Sequence, residues 1–295
     1  MKKKYIIAVS GGPDSMALLN KKKRIVKAVC HVNYHDREDT DNDERIVKAY
    51  CNKHNIPLYI IDTKKDNIDY YLNIKNPQTY YRKIRYDFFV NIANKLDVKK
   101  CLIGHHKDDV LESAFMQIEK NKKNLYLGIR KKSYYQSLLL VRPVLNKTKK
   151  ELENYCKKKK IDYATDYSNF SDIYERNVVR KKLANYSKKE LNKFYWKIKL
   201  NNFKNYFLIF KINFEFNKWK KKNFNRLYFL NQSKKHKNHL MFLFLNFFNI
   251  IPNENKINQI IDFVEKNENN PTKKYRLKDK EFLEVVNNQL KYIKS

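Results

Sequence analysis

The chain spreads four glycines over 295 residues, and two of them stand together in Ser10-Gly11-Gly12-Pro13-Asp14-Ser15, directly behind the apolar run Tyr5-Ile6-Ile7-Ala8-Val9. Glycine reaches backbone conformations closed to other residues, so a chain this poor in it can turn most tightly at very few places. A short buried strand, a glycine turn and an apolar helix start (Met16-Ala17-Leu18-Leu19) bring backbone N–H groups and a helix N-terminus to one point. Such a point holds an anion, here a nucleotide phosphate. The order is not that of the Walker loop, which ends in Gly-Lys-Ser/Thr, nor of the dinucleotide fingerprint with its three spaced glycines. Where the Walker lysine would be stands a carboxylate, Asp14, suited to a Mg²⁺ that in turn binds phosphate oxygens. Ser10 and Ser15 add hydroxyl donors. A lone Gly-Gly pair would read as a tight turn with Asp14 or Ser15 as an ordinary helix cap. Six residues in this order between strand and helix favour the phosphate loop.

Further along, Ile25 to Cys30 reads as a second buried strand, Pro57 to Ile61 as a third and Cys101 to Ile103 as a fourth. Between them lie helices from the loop to about Lys22, from Asp43 to His54 and from Asn76 to Leu96, with Asp36 to Glu44 as a solvated acidic loop. Strands alternating with helices at this pace predict an α/β fold with a doubly wound parallel sheet. The second strand leads into His31-Val32-Asn33-Tyr34-His35, and residues at the carboxyl end of a parallel strand beside the phosphate turn are placed to meet adenine or ribose. Plain loop histidines are the alternative. The fourth strand leads into Gly104-His105-His106-Lys107-Asp108-Asp109-Val110-Leu111-Glu112, a dense polar cluster. Asp108 or Asp109 would cap the helix that starts there, with Glu112 one turn on along the same face. The position at a strand end, like that of the first loop, favours a shared ligand crevice.

The net charge of +33, from 64 Lys and Arg against 31 Asp and Glu, suits a nucleic-acid partner. The abundance of Lys, Asn, Ile, Tyr and Phe also fits a codon bias, so charge permits that partner without specifying it. The start Met1-Lys2-Lys3-Lys4 is followed by too short an apolar stretch for a signal peptide, which predicts a cytoplasmic chain. The most apolar stretch, Leu240 to Ile251, is far shorter than the roughly 20 residues of a membrane crossing and reads as a buried helix. The cysteines at 30, 51, 101 and 156 have neither zinc-site nor disulfide-framework spacing, so buried reduced thiols are expected.

The first loop resembles the pyrophosphate-releasing loop of the N-type ATP pyrophosphatases, which adenylate a substrate and expel pyrophosphate. The later blocks are more specific. His31 to His35, Arg82-x-x-Arg85-Tyr86, Gly104-His105-His106-x-Asp108-Asp109, Arg142-Pro143-Val144-Leu145, Asp166-x-Ser168-Asn169 and Tyr174-x-Arg176-Asn177-x-x-Arg180, in this order, resemble the tRNA(Ile)-lysidine synthetase family over residues 1 to about 185. Tyr81 and Tyr167 depart from the family's usual small residue and proline, and the first helix is shorter than usual. The resemblance implies that ATP and free L-lysine convert the first anticodon cytidine of the CAU-reading isoleucine tRNA to lysidine. It implies ATP binding by Ser10, Gly11, Gly12, Pro13, Asp14, Ser15 and His31, and Mg²⁺ carried by Asp14 and Asp109 with Asp108 as neighbour. His105 is the candidate donor to the α-phosphate or activated base, ahead of His106. Arg82 or Arg85 would hold a phosphate, the other being an exposed helix cation. Asp166, Arg176 and Arg180 offer the charges that lysine or tRNA requires, Asn169 and Asn177 brace that loop, and Arg142-Pro143 reads as a structural corner.

From Tyr186 onward glycine is absent and aromatics alternate with lysines, as in Phe214 to Lys222. Two domains are expected, a catalytic one over 1–185 and a smaller, helix-rich tRNA-docking one over 186–295, with strands between 271 and 293. Most of these aromatics suit the core face of amphipathic helices, although such residues also grip phosphates and stack bases. A thiolating enzyme of the same superfamily would want a cysteine pair that is missing here, and an amidating one an ammonia source. A non-catalytic RNA-binding module would explain the charge but not two polar loops at adjacent strand ends.

Overall fold

The computed structural model describes residues 4–35, 40–64, 66, 77–120, 125–164, 175–248, 250, 252–267, 273–278 and 280–294. It divides into two compact units, Met1–Asn201 and Asn202–Ser295.

In the first unit β1 (Tyr5–Ala8) is central, with β2 (Val26–Asn33) and then β3 (Leu58–Asp62) on one side and β4 (Lys100–Leu102) on the other, all parallel. Sequence order reverses at β1/β4, which is where ligands bind in open α/β sheets. Between the strands run α1 (Pro13–Lys22), α2 (Thr40–Lys53) and α3 (Pro77–Lys95), and α4 (Lys107–Glu119) follows β4. The β1 side chains alternate between two apolar layers. Ile7 packs with Met16, Leu18, Val47 and Leu152, whereas Ile6 packs with Tyr86, Phe89 and Val90 of α3. Burial on both faces is what makes this strand a continuous apolar run rather than an alternating one.

An unexpected hairpin closes one edge. β5 (Lys132–Tyr135) pairs antiparallel with β6 (Leu138–Val141), and β6 continues the sheet in parallel beside β4. The sheet is therefore mostly parallel, with an antiparallel edge strand. Two boundaries also differ from expectation. β2 runs on to Asn33, so His31 lies inside the strand, and α2 begins at Thr40 with Thr40 and Asp43 buried rather than solvated. After the hairpin come α5 (Lys149–Lys158), α6 (Glu175–Ala184) and α7 (Lys188–Lys204). Tyr195 and Ile198 of α7 share a cluster with Leu111 of α4 and Val179 and Leu183 of α6. That packing carries the first unit beyond 185. The four cysteines are buried free thiols in this unit, and burial pushes those of Cys51 and Cys156 up to about 11 and that of Cys101 up to about 12.

The second unit holds α8 (Tyr206–Lys221), α9 (Arg226–Leu230), α10 (Lys234–Phe247), α11 (Glu254–Lys266) and an antiparallel sheet of β7 (Lys274–Lys278), β8 (Glu281–Val286) and β9 (Gln289–Lys294). Its core centres on Trp219, which stacks on Phe229 at 4.9 Å and donates its indole N–H to the Asn225 carbonyl at 2.8 Å. No described helix is long and apolar enough to cross a membrane.

Candidate active site

Gly11 has φ +93°, and a Cβ there would lie 3.0 Å from the Asp43 Cβ and 3.1 Å from its Cα. Both its conformation and the approach of α2 demand glycine. Gly12 then caps α1 and Pro13 opens it, where the missing N–H costs nothing. The first intrahelical bond is Met16 N–H to the Gly12 carbonyl, which leaves the preceding N–H groups at the turn. Ser15 is buried. Its hydroxyl donates to the Gly12 carbonyl at 3.0 Å and accepts from Ser10 N–H at 3.2 Å, so it shapes the loop.

The two polar clusters meet through Gly104. A Cβ on it would stand 3.2 Å from the backbone N and Cα of Ser15, so glycine lets the end of β4 lie against the start of α1 without displacing that backbone. Just beyond, His106 caps α4. Its N–H donates to Asp109 Oδ2 at 2.8 Å, and its ring Nε2 lies 3.4 Å from Asp14 Oδ2 and 3.5 Å from Asp109 Oδ2, with Nδ1 3.4 Å from Asp108 Oδ2. Burial disfavours the imidazolium, but Asp108, Asp109 and Asp14 outweigh it and raise the pKa.

Asp14 itself is raised by burial to about 6, with His106 opposing and Asp109 adding to the shift, and its Oδ1 is buried without a hydrogen-bond partner. The other two aspartates are engaged. Asp108 Oδ2 accepts the Lys149 N–H at the start of α5 at 2.7 Å, and Asp109 Oδ1 accepts from Arg176 at 2.8 Å. Among the described residues no group of three or more metal-ligating side chains converges. Mg²⁺ commonly takes one or two carboxylates and completes its shell with waters and substrate phosphates, and Asp14 fits that demand.

His31 donates from Nδ1 to the Val9 carbonyl at 2.9 Å, which leaves Nε2 as a buried acceptor with no partner, and burial lowers its pKa. On α3, Arg82 is exposed with its guanidinium 4.9 Å from the Tyr86 ring, while Arg85 is half-buried and its charge helps to lower the His105 pKa. Arg176 and Arg180 point into the first unit rather than standing free. Arg176 binds Glu112 at 2.6 Å as well as Asp109, and Arg180 binds Glu112 at 2.8 Å, which ties α6 to α4. Asp166, Ser168 and Asn169 lie outside the described residues.

The sequence missed one participant. Arg142 is buried rather than a mere corner, and its Nε donates to His105 Nδ1 at 3.1 Å. The contact with His105 spans 37 residues and leaves no local signature; the placement of Arg142 directly after the apolar run Leu138 to Val141, at the sheet end that carries both loops, marks only its position.

A mostly parallel sheet with a phosphate loop after its central strand, and an acidic, histidine-rich loop meeting it across the switch point, defines an ATP-handling domain of the PP-loop type. Residues 1–187 match the PP-loop domain family. The same architecture occurs in the U34-tRNA thiolase NcsA of Methanococcus maripaludis, at TM-score 0.56 and 18% identity over 70% of this chain and 73% of that one, a likeness of fold. More closely, 292 residues are 57% identical to the tRNA(Ile)-lysidine synthase of Malacoplasma penetrans, covering 99% of each chain. Over 294 residues the chain is 40% identical to that of Ureaplasma parvum, covering 98% of this chain and 86% of the other. The chain belongs to the tRNA(Ile)-lysidine synthase family.

Proposed function

We propose that the chain uses ATP to join free L-lysine to C2 of the first anticodon cytidine in the CAU-reading isoleucine tRNA, releasing pyrophosphate and AMP. The observation that carries this reading is the identity of 57% to a family member over essentially the whole of both chains. The crevice between β1 and β4 has the chemistry for it. The base O2 attacks the α-phosphorus and pyrophosphate leaves; the lysine side-chain amine then attacks C2, AMP departs with the oxygen, and the amine loses a proton. Negative charge grows on phosphate oxygens in the first step, so fixed donors and cations dominate its catalysis.

The turn from Ser10 to Ser15 and the start of α1 receive the phosphates, and the bare Nε2 of His31 accepts a donor from the nucleotide. Asp14 would hold Mg²⁺, with Asp109 and Asp108, whose carboxylates already accept from Arg176 and Lys149, as further carriers; the ion would supply charge neutralisation at the phosphates. His105 donates to the reacting phosphate, and Arg85, half-buried and acting electrostatically on His105, adds positive charge in preference to the exposed Arg82. Arg176 and Arg180 support the lysine side of the site through Glu112, together with Asp166. The C-terminal part docks the tRNA, and an ATP-dependent tRNA enzyme of this kind works in the cytoplasm.

The test is transfer of labelled lysine to a CAU-anticodon isoleucine tRNA transcript with ATP and Mg²⁺, counting AMP alongside. Lysine incorporation matched by AMP is expected. AMP without lysine would overturn the nucleophile, and neither product from chain shown to bind ATP and tRNA would overturn the enzymatic reading.

A further inference from the structure

Arg142 leaves the end of β6 beside the end of β4, where Val141 pairs with Leu102, and its side chain runs to His105. Arg142 is 4% exposed, and its guanidinium is fixed on several sides. Its NH1 donates to the Arg130 carbonyl and to Ser133 Oγ, each at 3.0 Å, while its own backbone N–H donates to the Lys131 carbonyl at 3.0 Å. An arginine Nε–H only donates, so the 3.1 Å contact requires that His105 Nδ1 accept. A neutral imidazole whose Nδ1 lone pair is used carries its proton on Nε2. No partner occupies His105 Nε2 among the described residues. Burial, with Arg142, Arg85 and Arg176 against Asp109, lowers the His105 pKa and keeps the ring neutral.

We propose that Arg142 is a positioning residue for adenylation: by donating to Nδ1 it holds His105 as the Nε2–H tautomer, so that His105 meets the reacting phosphate as a neutral hydrogen-bond donor. This rests on the adenylating function above. His105 keeps its proton throughout, as the phosphorus–O2 bond forms and the bond to pyrophosphate breaks. The other tautomer would set N–H against N–H at Arg142 and turn a lone pair toward a phosphate oxygen. The hairpin β5–β6, otherwise an edge ornament, thereby acquires a role: Ser133 and Arg130 hold the arginine that sets the ring.

The test is two-bond ¹H–¹⁵N correlation on the full chain with ¹⁵N-labelled histidine, the His105 ring being identified by its loss in His105→Gln. Wild type is expected to show a pyrrole-type Nε2 and a pyridine-type Nδ1. In Arg142→Ala, or in Arg142→Met of similar length, the tautomers should mix. kcat for AMP formation should then fall roughly ten- to a hundredfold, with KM for ATP within about twofold. Arg142→Gln, which keeps an N–H donor, should recover part of both. His105→Gln, whose amide nitrogen falls near the ring Nε2 position, should retain more activity than His105→Asn. A protonated Nδ1 in wild type would overturn the proposal, as would a pure Nε2–H tautomer in an Arg142 variant that has lost activity. A wild-type chain with the expected tautomer but no AMP formation would instead overturn the function and leave the tautomer assignment standing.

Discussion

At the scale of single residues, Asp14 is held where burial disfavours its charge. Burial moves its carboxyl from 3.8 to about 6. A folded-state pKa above the unfolded one favours the fold at low pH, and that contribution disappears as pH rises from 3.8 through about 6. Asp14→Asn removes the buried charge. Without ligands, the variant should match the parent in acid and exceed it at neutral pH, by up to about 3 kcal/mol. Thermal unfolding at the two pH values checks this; no gain at neutral pH would show that the carboxylate is not strained. AMP formation by the same variant should be abolished with tRNA affinity nearly intact, the pattern of a residue tuned for function at the expense of stability.

Among the elements, the junction of β4 with α1 depends on one missing methyl group. In Gly104→Ala the new Cβ would meet backbone atoms of Ser15, which cannot swing aside as a flexible side chain would. The expected loss is about 1–3 kcal/mol, with weaker ATP binding because the start of α1 is displaced. Unfolding and nucleotide titration measure the two effects; undiminished ATP affinity would show that the loops need not touch. β1 to β4 were legible because each is a short apolar run bounded by turns, and the phosphate loop because its glycines are conspicuous in so poor a chain. The β5–β6 hairpin was not, since Lys132-Ser133-Tyr134-Tyr135 carries little apolar pattern and its turn uses Gln136 at φ +50° in place of glycine. The Arg142–His105 contact joins residues 37 apart in sequence and has no local signature. Likewise, Asp43 read as part of an acidic loop because only the fold shows Gly11 pressed against it.

For the molecule as a whole, the charge of +33 should set a polyanionic tRNA apart from ATP in its response to salt. Contacts to a tRNA backbone release counterions and weaken steeply with salt, whereas a compact ATP site is far less sensitive. KM for tRNA should therefore climb steeply with salt while KM for ATP changes little, as steady-state kinetics over a salt series would reveal. Parallel rises in both would mean that the excess lysine is not organised for RNA. The position of the thiols has a different consequence. All four cysteines are buried in the first unit, and the second contains none. With their ionisation pushed upward by burial, they are shielded from alkylation while that unit stays closed. The native chain thus carries its own exposure clock, one that ticks only when the ATP-binding half opens, and a surface cysteine introduced into the other half would accept a dye without the natural four being removed.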